Sequence, residues 1–315
     1  MLFPIADYWP FYAGFTVLVL ALLALDLGLF HRKAHVAGFR EAALWLCVWA
    51  GLALLFCLGL YAYSRAEFGG APAKQVALEF LTGYIVEESL SLDNMFVFVL
   101  VFSYFQIPAQ FQHRVLFYGI LGALVFRGIF IAAGSALLQY SWMTILFGIF
   151  LIGTGIKMML SSEREIQPEK ALATRLLRKI FPITPELRGQ RLFARVDGKL
   201  HATPLLLAVA VIEASDILFA VDSVPAIFAV TKEPFIVYTS NVFAILGLRS
   251  MYFLLVGAIG RFHLLRYGLA VILIFVGFKM IWHVPTVISL LVIGGVLGVA
   301  IGLSLAFPKR EAVGG

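Results

Sequence analysis

The chain has 315 residues, 62% of them hydrophobic and 13% charged, with a mean hydropathy of +0.97 and a formal net charge of +6. Those values lie far from the soluble average and exclude a soluble globular domain. The apolar residues fall into runs of about twenty, the length that crosses a bilayer as a helix, so the chain reads as a polytopic membrane protein with the lipid bilayer as its solvent.

In chain order, nine spans are expected, at 11–30, 41–62, 76–103, 115–138, 142–160, 203–230, 235–256, 266–282 and 285–307. All should be helices, because a helix satisfies its own backbone hydrogen bonds in lipid. The fold class is therefore all-α, a polytopic membrane helix bundle. The first run has no basic segment before it and no small-residue cleavage site, and Asp26 stands near its end, so it is expected to remain as a span. Cys47 and Cys57 lie ten residues apart on the second span. That is about 15 Å of rise, too far for a disulfide or a shared metal, so both read as packing residues. The third span, "TGYIVEESLSLDNMFVFVLVF", carries Glu87, Glu88 and Asp93 near its middle. Between spans five and six lies the one sizeable soluble segment, 161–202. There "TRLLRKIF" is expected as a basic amphipathic helix, and "RLFARVDGKLHAT" as a small hairpin around Asp197-Gly198. The sixth span contains "EASDILFAVDSVPAIFAVT", with Asp216, Asp222 and Pro225. Five segments follow: 1–75 with two spans, 76–160 with spans three to five, the basic loop 161–202, 203–282 with spans six to eight, and 283–315 with the last span and a tail.

Charge sets the expected orientation. With the N-terminus outside, the inner segments collect seventeen basic residues and the outer ones three, Arg65, Lys74 and Lys232. That bias places the C-terminus in the cytoplasm. The net positive charge thus reflects topology, and no nucleic-acid partner is indicated.

Sliding the chain against itself reveals a repeat. "YIVEESLSLDN" at 84–94 lies over "EASDILFAVDS" at 213–223 with an offset of 129, pairing Glu87 with Asp216, Asp93 with Asp222 and Asn94 with Ser223. With an offset of 122, "LVFRGIF" lies over "LGLRSMY", pairing Arg127 with Arg249, and "GTGIKMM" lies over "FVGFKMI", pairing Lys157 with Lys279. A unit of three spans reverses direction between copies, so spans 3–5 and 6–8 are expected to form an inverted repeat, the build of many secondary transporters.

Eight acids stand at membrane depth: Asp26, Glu79, Glu87, Glu88, Asp93, Glu213, Asp216 and Asp222. Charged and unpaired, they would cost on the order of 20 kcal/mol, and intramembrane acids mark ion or proton routes. Six positions along a helix turn about 600°, so the two acids of one motif cannot share an ion on an unbroken helix. Either each acid meets the other repeat, Glu87 level with Asp222 and Asp93 with Asp216, or the helix opens. Pro225 favours opening in the second copy, since it cannot donate to the Val221 carbonyl. Inert ion pairing with Arg127, Lys157, Arg249 and Lys279 is the structural alternative, with Arg127 and Arg249 balancing the site when it is empty. Glu88 and Glu213 have no acidic counterpart and read as supporting or rim residues. Asp26 could line an exit.

Carboxylate, amide, hydroxyl and carbonyl oxygens suit hard divalent ions such as Mn²⁺, Mg²⁺ or Ca²⁺. The six histidines fall in loops or at span ends, which argues against zinc or copper. No phosphate-binding loop and no hydrolase constellation occur, so the chain is not expected to be an enzyme or to hold an organic cofactor. An ion or proton gradient remains as the energy source. Metal and protons would compete for the same oxygens, so transport should rise as the cytoplasm becomes more alkaline. A homo-oligomer is compatible with such a chain.

"ESLSLDNMFVF", "EASDILFAVDSVPAIFAVT" and "SNVFAILGLRSMYFLL" resemble the signatures of the TerC family of integral membrane proteins, from about Leu25 to Phe307. One departure is Ser91-Leu92, where the family pattern has Ala-Val. The resemblance implies a bacterial inner-membrane protein that exports manganese, with Glu87, Asp93, Asp216 and Asp222 handling the metal; Asn94 and Ser223, which the repeat pairs beside the acids, are the further candidate oxygen ligands. The alternatives are transport of another cation such as Ca²⁺, or a non-transporting partner that assists other membrane or secreted proteins through 161–202.

Overall fold

The structure is a computed structural model describing residues 2–25, 38–138, 140–160, 172–184, 186–196, 198–256, 264–282 and 284–307; the side chains of Asp93, Phe96, Ser141, Leu172, Ala173 and Asp222 fall outside the description. The described residues form ten helices and one hairpin: α1 (Ile5–Leu25), α2 (Phe39–Phe68), α3 (Gly70–Tyr104), α4 (Ala109–Leu137), α5 (Ser141–Leu160), α6 (Leu172–Ile180), β1 (Phe193–Val196), β2 (Lys199–Ala202), α7 (Pro204–Phe228), α8 (Pro234–Val256), α9 (Leu265–Ile281) and α10 (Thr286–Ala306). Each of the nine expected runs is a helix. Seven of them, α1, α2, α4, α5, α7, α8 and α10, are long and apolar enough to cross a membrane. α9 is shorter, at 17 residues, and α3 carries too many charges to count on composition.

Local chemistry accounts for the boundaries. Proline opens α7 and α8 at the first helical position, where its missing N–H has no intrahelical partner to lose. A single residue, Gly69, separates α2 from α3 at φ 89°, a conformation that only glycine adopts without steric cost. α1 starts at Ile5, earlier than the expected 11, with a non-helical Tyr8 just before Pro10 absorbing the proline. α7 also runs on past Pro225 to Phe228, so the expected opening does not occur. Pro225 sits in the last turn, where the helix loses one donor and then ends.

The connector holds the expected helix, α6, which exposes Arg175, Arg178 and Lys179, and the expected hairpin. β1 and β2 pair antiparallel with Val196 opposite Lys199, leaving a two-residue turn in which Gly198 has φ 75°. Asp26, Asp197 and the tail 308–315 lie outside the described residues.

α8 is the central element, buried at every position but Tyr238 from Pro234 to Tyr252. Around it pack α1, α2, α3, α4 and α7, while α10 covers α9 and α3. Leu54, Leu58, Val125, Ile149, Leu218 and Leu291 face outward, as a lipid-facing surface requires. Between the triplets α3–α5 and α7–α9, α3 packs on α8 as α7 does on α4, and α3 on α9 as α5 does on α7. α3 also meets α7, α4 meets α8, and α5 meets α9 most extensively of all. The α5–α9 crossing is close because it is built on glycine: a Cβ on Gly277 would stand 2.6 Å from the Gly148 carbonyl oxygen, and one on Gly155 2.7 Å from that of Ala270. Those pairs run in opposite directions along the chain, so α5 and α9 are antiparallel.

Candidate functional site

α3 and α7 also cross antiparallel. A Cβ on Gly83 would stand 3.5 Å from Ile227, near the end of α7, whereas Phe98, farther along α3, shares a cavity wall with Ile212 near the start of α7. Small residues make this approach possible, and it brings the acid-bearing turns together.

Arg127 on α4 closes the crossing. It is 1% exposed and pairs with Glu87 of α3, itself wholly buried. Its Nε and Nη2 donate to Asp216 Oδ2 and Oδ1 of α7 at 3.3 and 3.0 Å. Nη1 donates to Asn241 Oδ1 of α8 at 3.3 Å. A planar guanidinium with donors on a rigid fork suits such a meeting of groups from different helices, and charge-assisted bonds are the stronger kind. The two acids that the repeat equates thus meet on one cation. With Gly83 near Ile227, the antiparallel backbones keep Glu87 about level with Asp222, as the sequence suggested, and Arg127 in addition joins Glu87 to Asp216. One guanidinium cannot neutralise both carboxylates, and Arg249 of α8 borders the same region. With Asp216, Phe98, Gly119, Ile212 and Leu248 it lines a cavity of about 10 Å³, close to the room of one water-sized group.

The remaining candidates surround this cluster. Asn94 and Ser223 are buried, and the hydroxyls of Ser223 and Ser91 have no hydrogen-bond partner among the described residues. Asp93 and Asp222 stand on the helical backbone of α3 and α7, but their side chains are not among those described. Asp26 is likewise outside. Glu213, one turn before Asp216, presses its carboxylate against the backbone of Gly122 on α4, and neither oxygen has a described partner. Glu88 bonds to Tyr84 on its own helix and lies against Gly247 of α8, whose Cβ would stand 3.0 Å from Oε1. Val221 is 41% exposed on the outer face of α7. Among the described residues no three acidic, histidine or cysteine side chains converge as a metal cage. The four repeat acids therefore divide into a described pair held on Arg127 and two others, Asp93 and Asp222, each about one and two-thirds turns farther along its own antiparallel helix and so toward opposite ends of the bundle. Asn241 escaped the sequence reading. Its signal was the polar run Thr239-Ser240-Asn241 inside an otherwise apolar span.

Comparison with known proteins places these residues in a wider setting. The integral membrane protein TerC family matches residues 73–312. A protein of Myxococcus xanthus named "Uncharacterized membrane protein STKORF319" is 51% identical over 308 residues, covering 96% of this chain and 94% of its own. One of Escherichia coli K12, named "Putative membrane-bound redox modulator Alx", is 49% identical over 292 residues, 91% of each chain. An "Uncharacterized membrane protein" of Rickettsia felis is 40% identical over 283 residues, 88% of this chain and 91% of its own. No solved structure matches.

Proposed function

The chain belongs to the integral membrane protein TerC family, and from that premise we propose that it exports Mn²⁺ from the cytoplasm across a bacterial inner membrane in exchange for protons. One observation carries the reading: Glu87 and Asp216, from two different helices, meet on Arg127 in the buried centre of the bundle. A merely structural role is a poor account of that arrangement. Burying an ion pair in place of apolar side chains gains little stability, and acids at membrane depth mark ion or proton routes.

In this reading Arg127 is a tethered cation that holds the site when no metal is bound. An arriving Mn²⁺ displaces the guanidinium from one or both carboxylates, and the charge of the site stays bounded in either state. Asn94 and Ser223 supply further oxygens, Asp93 and Asp222 continue the path along α3 and α7, and the ligand set is the hard-oxygen kind that Mn²⁺ takes. Carboxylates that release metal accept protons, which couples the two fluxes through the same atoms. The reading takes all nine long helices as spans, with the N-terminus outside. It also takes α3–α5 and α7–α9 as an inverted repeat. In support, the contacts between the triplets exchange with one another, and the 122-residue offset carries the Gly148–Gly277 contact onto Ala270–Gly155 and Ile152–Gly277 onto Ile274–Gly155.

The test is intracellular manganese under manganese load, in cells expressing Glu87→Gln, Asp93→Asn, Asp216→Asn or Asp222→Asn at matched membrane levels. Each should accumulate manganese as cells without the protein do; normal efflux by Asp216→Asn would defeat the ligand assignment. Metal-selective uptake into vesicles separates Mn²⁺ from Ca²⁺. A partner-protein role would instead survive the amide changes and fail on changes within 161–202.

A further inference from the structure

At the end of the bundle opposite the Asp216 cavity, several buried polar groups that the transport reading leaves unused are joined. Glu79 of α3 is 7% exposed. Its Oε1 accepts from Gln75 Nε2 at 2.8 Å, and its Oε2 accepts from the hydroxyl of Thr231 in the α7–α8 turn. That hydroxyl accepts from the backbone N–H of Glu233 at 3.1 Å, and the Glu233 carboxylate accepts from the N–H groups of Leu2 and Phe3 at 2.7 and 3.1 Å. Lys279 of α9 is 9% exposed, its Nζ has no hydrogen-bond partner among the described residues, and it lies within electrostatic reach of Glu79. Rings of Phe3, Phe15, Phe56, Phe80, Phe235 and Phe243 fill the space beside the network, with Phe56 and Phe80 centred 5.5 Å apart.

The repeat makes this end unlike the other. The 129-residue offset puts Ala208 in the place of Glu79, and the 122-residue offset puts Lys157, which is exposed, in the place of Lys279. The two ends thus differ: at one the buried carboxylate of Glu79 accepts from Thr231 beside the buried ammonium of Lys279, whereas beside the other lies the cavity lined by Asp216 and Arg249. We infer that Glu79, Thr231 and Lys279 form a latch that closes the outer end of the transport path, and that α3 and the α7–α8 turn separate there when the cargo leaves. The assignment of a path rests on the export reading; the latch itself does not need a transported ion to be measured.

Thr82, wholly buried on α3 three residues inward of Glu79, provides the reporter. In protein carrying Cys47→Ser and Cys57→Ala, Thr82→Cys is reacted with a hydrophilic maleimide in detergent, where both ends are reachable. Ala123→Cys, beside the Asp216 cavity, is the control. Thr231→Val and Lys279→Met should each speed labelling at position 82 about tenfold or more, as loss of a buried interaction with a charged group implies, and leave position 123 unchanged. Labelling at 82 that ignores both changes would overturn the latch, and so would parallel acceleration at 82 and 123, which would mean general loosening. Neither result bears on Mn²⁺ export, which the amide variants test separately.

Discussion

Arg127 on α4 and Arg249 on α8 stand at equivalent places in the two helix triplets, yet their helices live in different surroundings. α8 is buried nearly all round, while α4 turns Leu121, Val125 and Ile129 outward. The third helices diverge in the same sense, with Lys157 exposed on α5 and Lys279 buried on α9. In the inverted-repeat reading one plan is placed twice, once at the rim and once at the centre. Chemistry that the two copies share, the acids and the arginine, belongs to the crossing itself. What only one copy buries, such as the Lys279 ammonium, marks where the two ends of the bundle have become different.

The comparison breaks most sharply at Arg127. Arg127→Met leaves two buried carboxylates without their cation and should cost about 3–5 kcal/mol, read as a lower thermal unfolding midpoint in detergent. Adding Glu87→Gln and Asp216→Asn should return much of that stability, which shows the loss to be electrostatic in origin. A smaller effect is expected where the third helices cross. Gly277→Val drives a side chain into the Gly148 carbonyl and should cost about 1–3 kcal/mol, with Gly148→Val similar because the contact is mutual. Gly153→Val, with nothing within 4 Å of its Cβ, should stay within about 0.5 kcal/mol of the parent. Least of all, Lys157→Met should leave both unfolding and manganese efflux unchanged, in contrast with the opening expected of Lys279→Met.

Much of the architecture could be read directly from the chain. A bilayer demands apolar helices of a set length, so nine runs announced nine helices, and Asp197-Gly198 between alternating residues announced the hairpin. Acids at membrane depth are costly enough to stand out, which is why Glu87, Asp93, Asp216 and Asp222 were visible as candidates. Internal similarity paired them and paired Arg127 with Arg249. These are local or periodic signals, carried by neighbours in sequence and therefore independent of how helices are arranged.

The tertiary structure decided the partnerships. The sequence offered Arg127 as one of four cations that could pair with the acids, but only the packing of α4 against α7 and α8 selects Glu87 and Asp216 from the several neighbours a long side chain can reach. Asn241 joins that group from a helix read as apolar, and Thr231 meets Glu79 across 152 positions. Pro225 promised a broken helix, but its place in the last turn of α7 left little to break. "GTGIKMM" and "FVGFKMI" look alike, yet Lys157 is exposed and Lys279 is buried, because burial is set by what a neighbouring helix covers: α10 and α3 pack over α9 and leave α5 open.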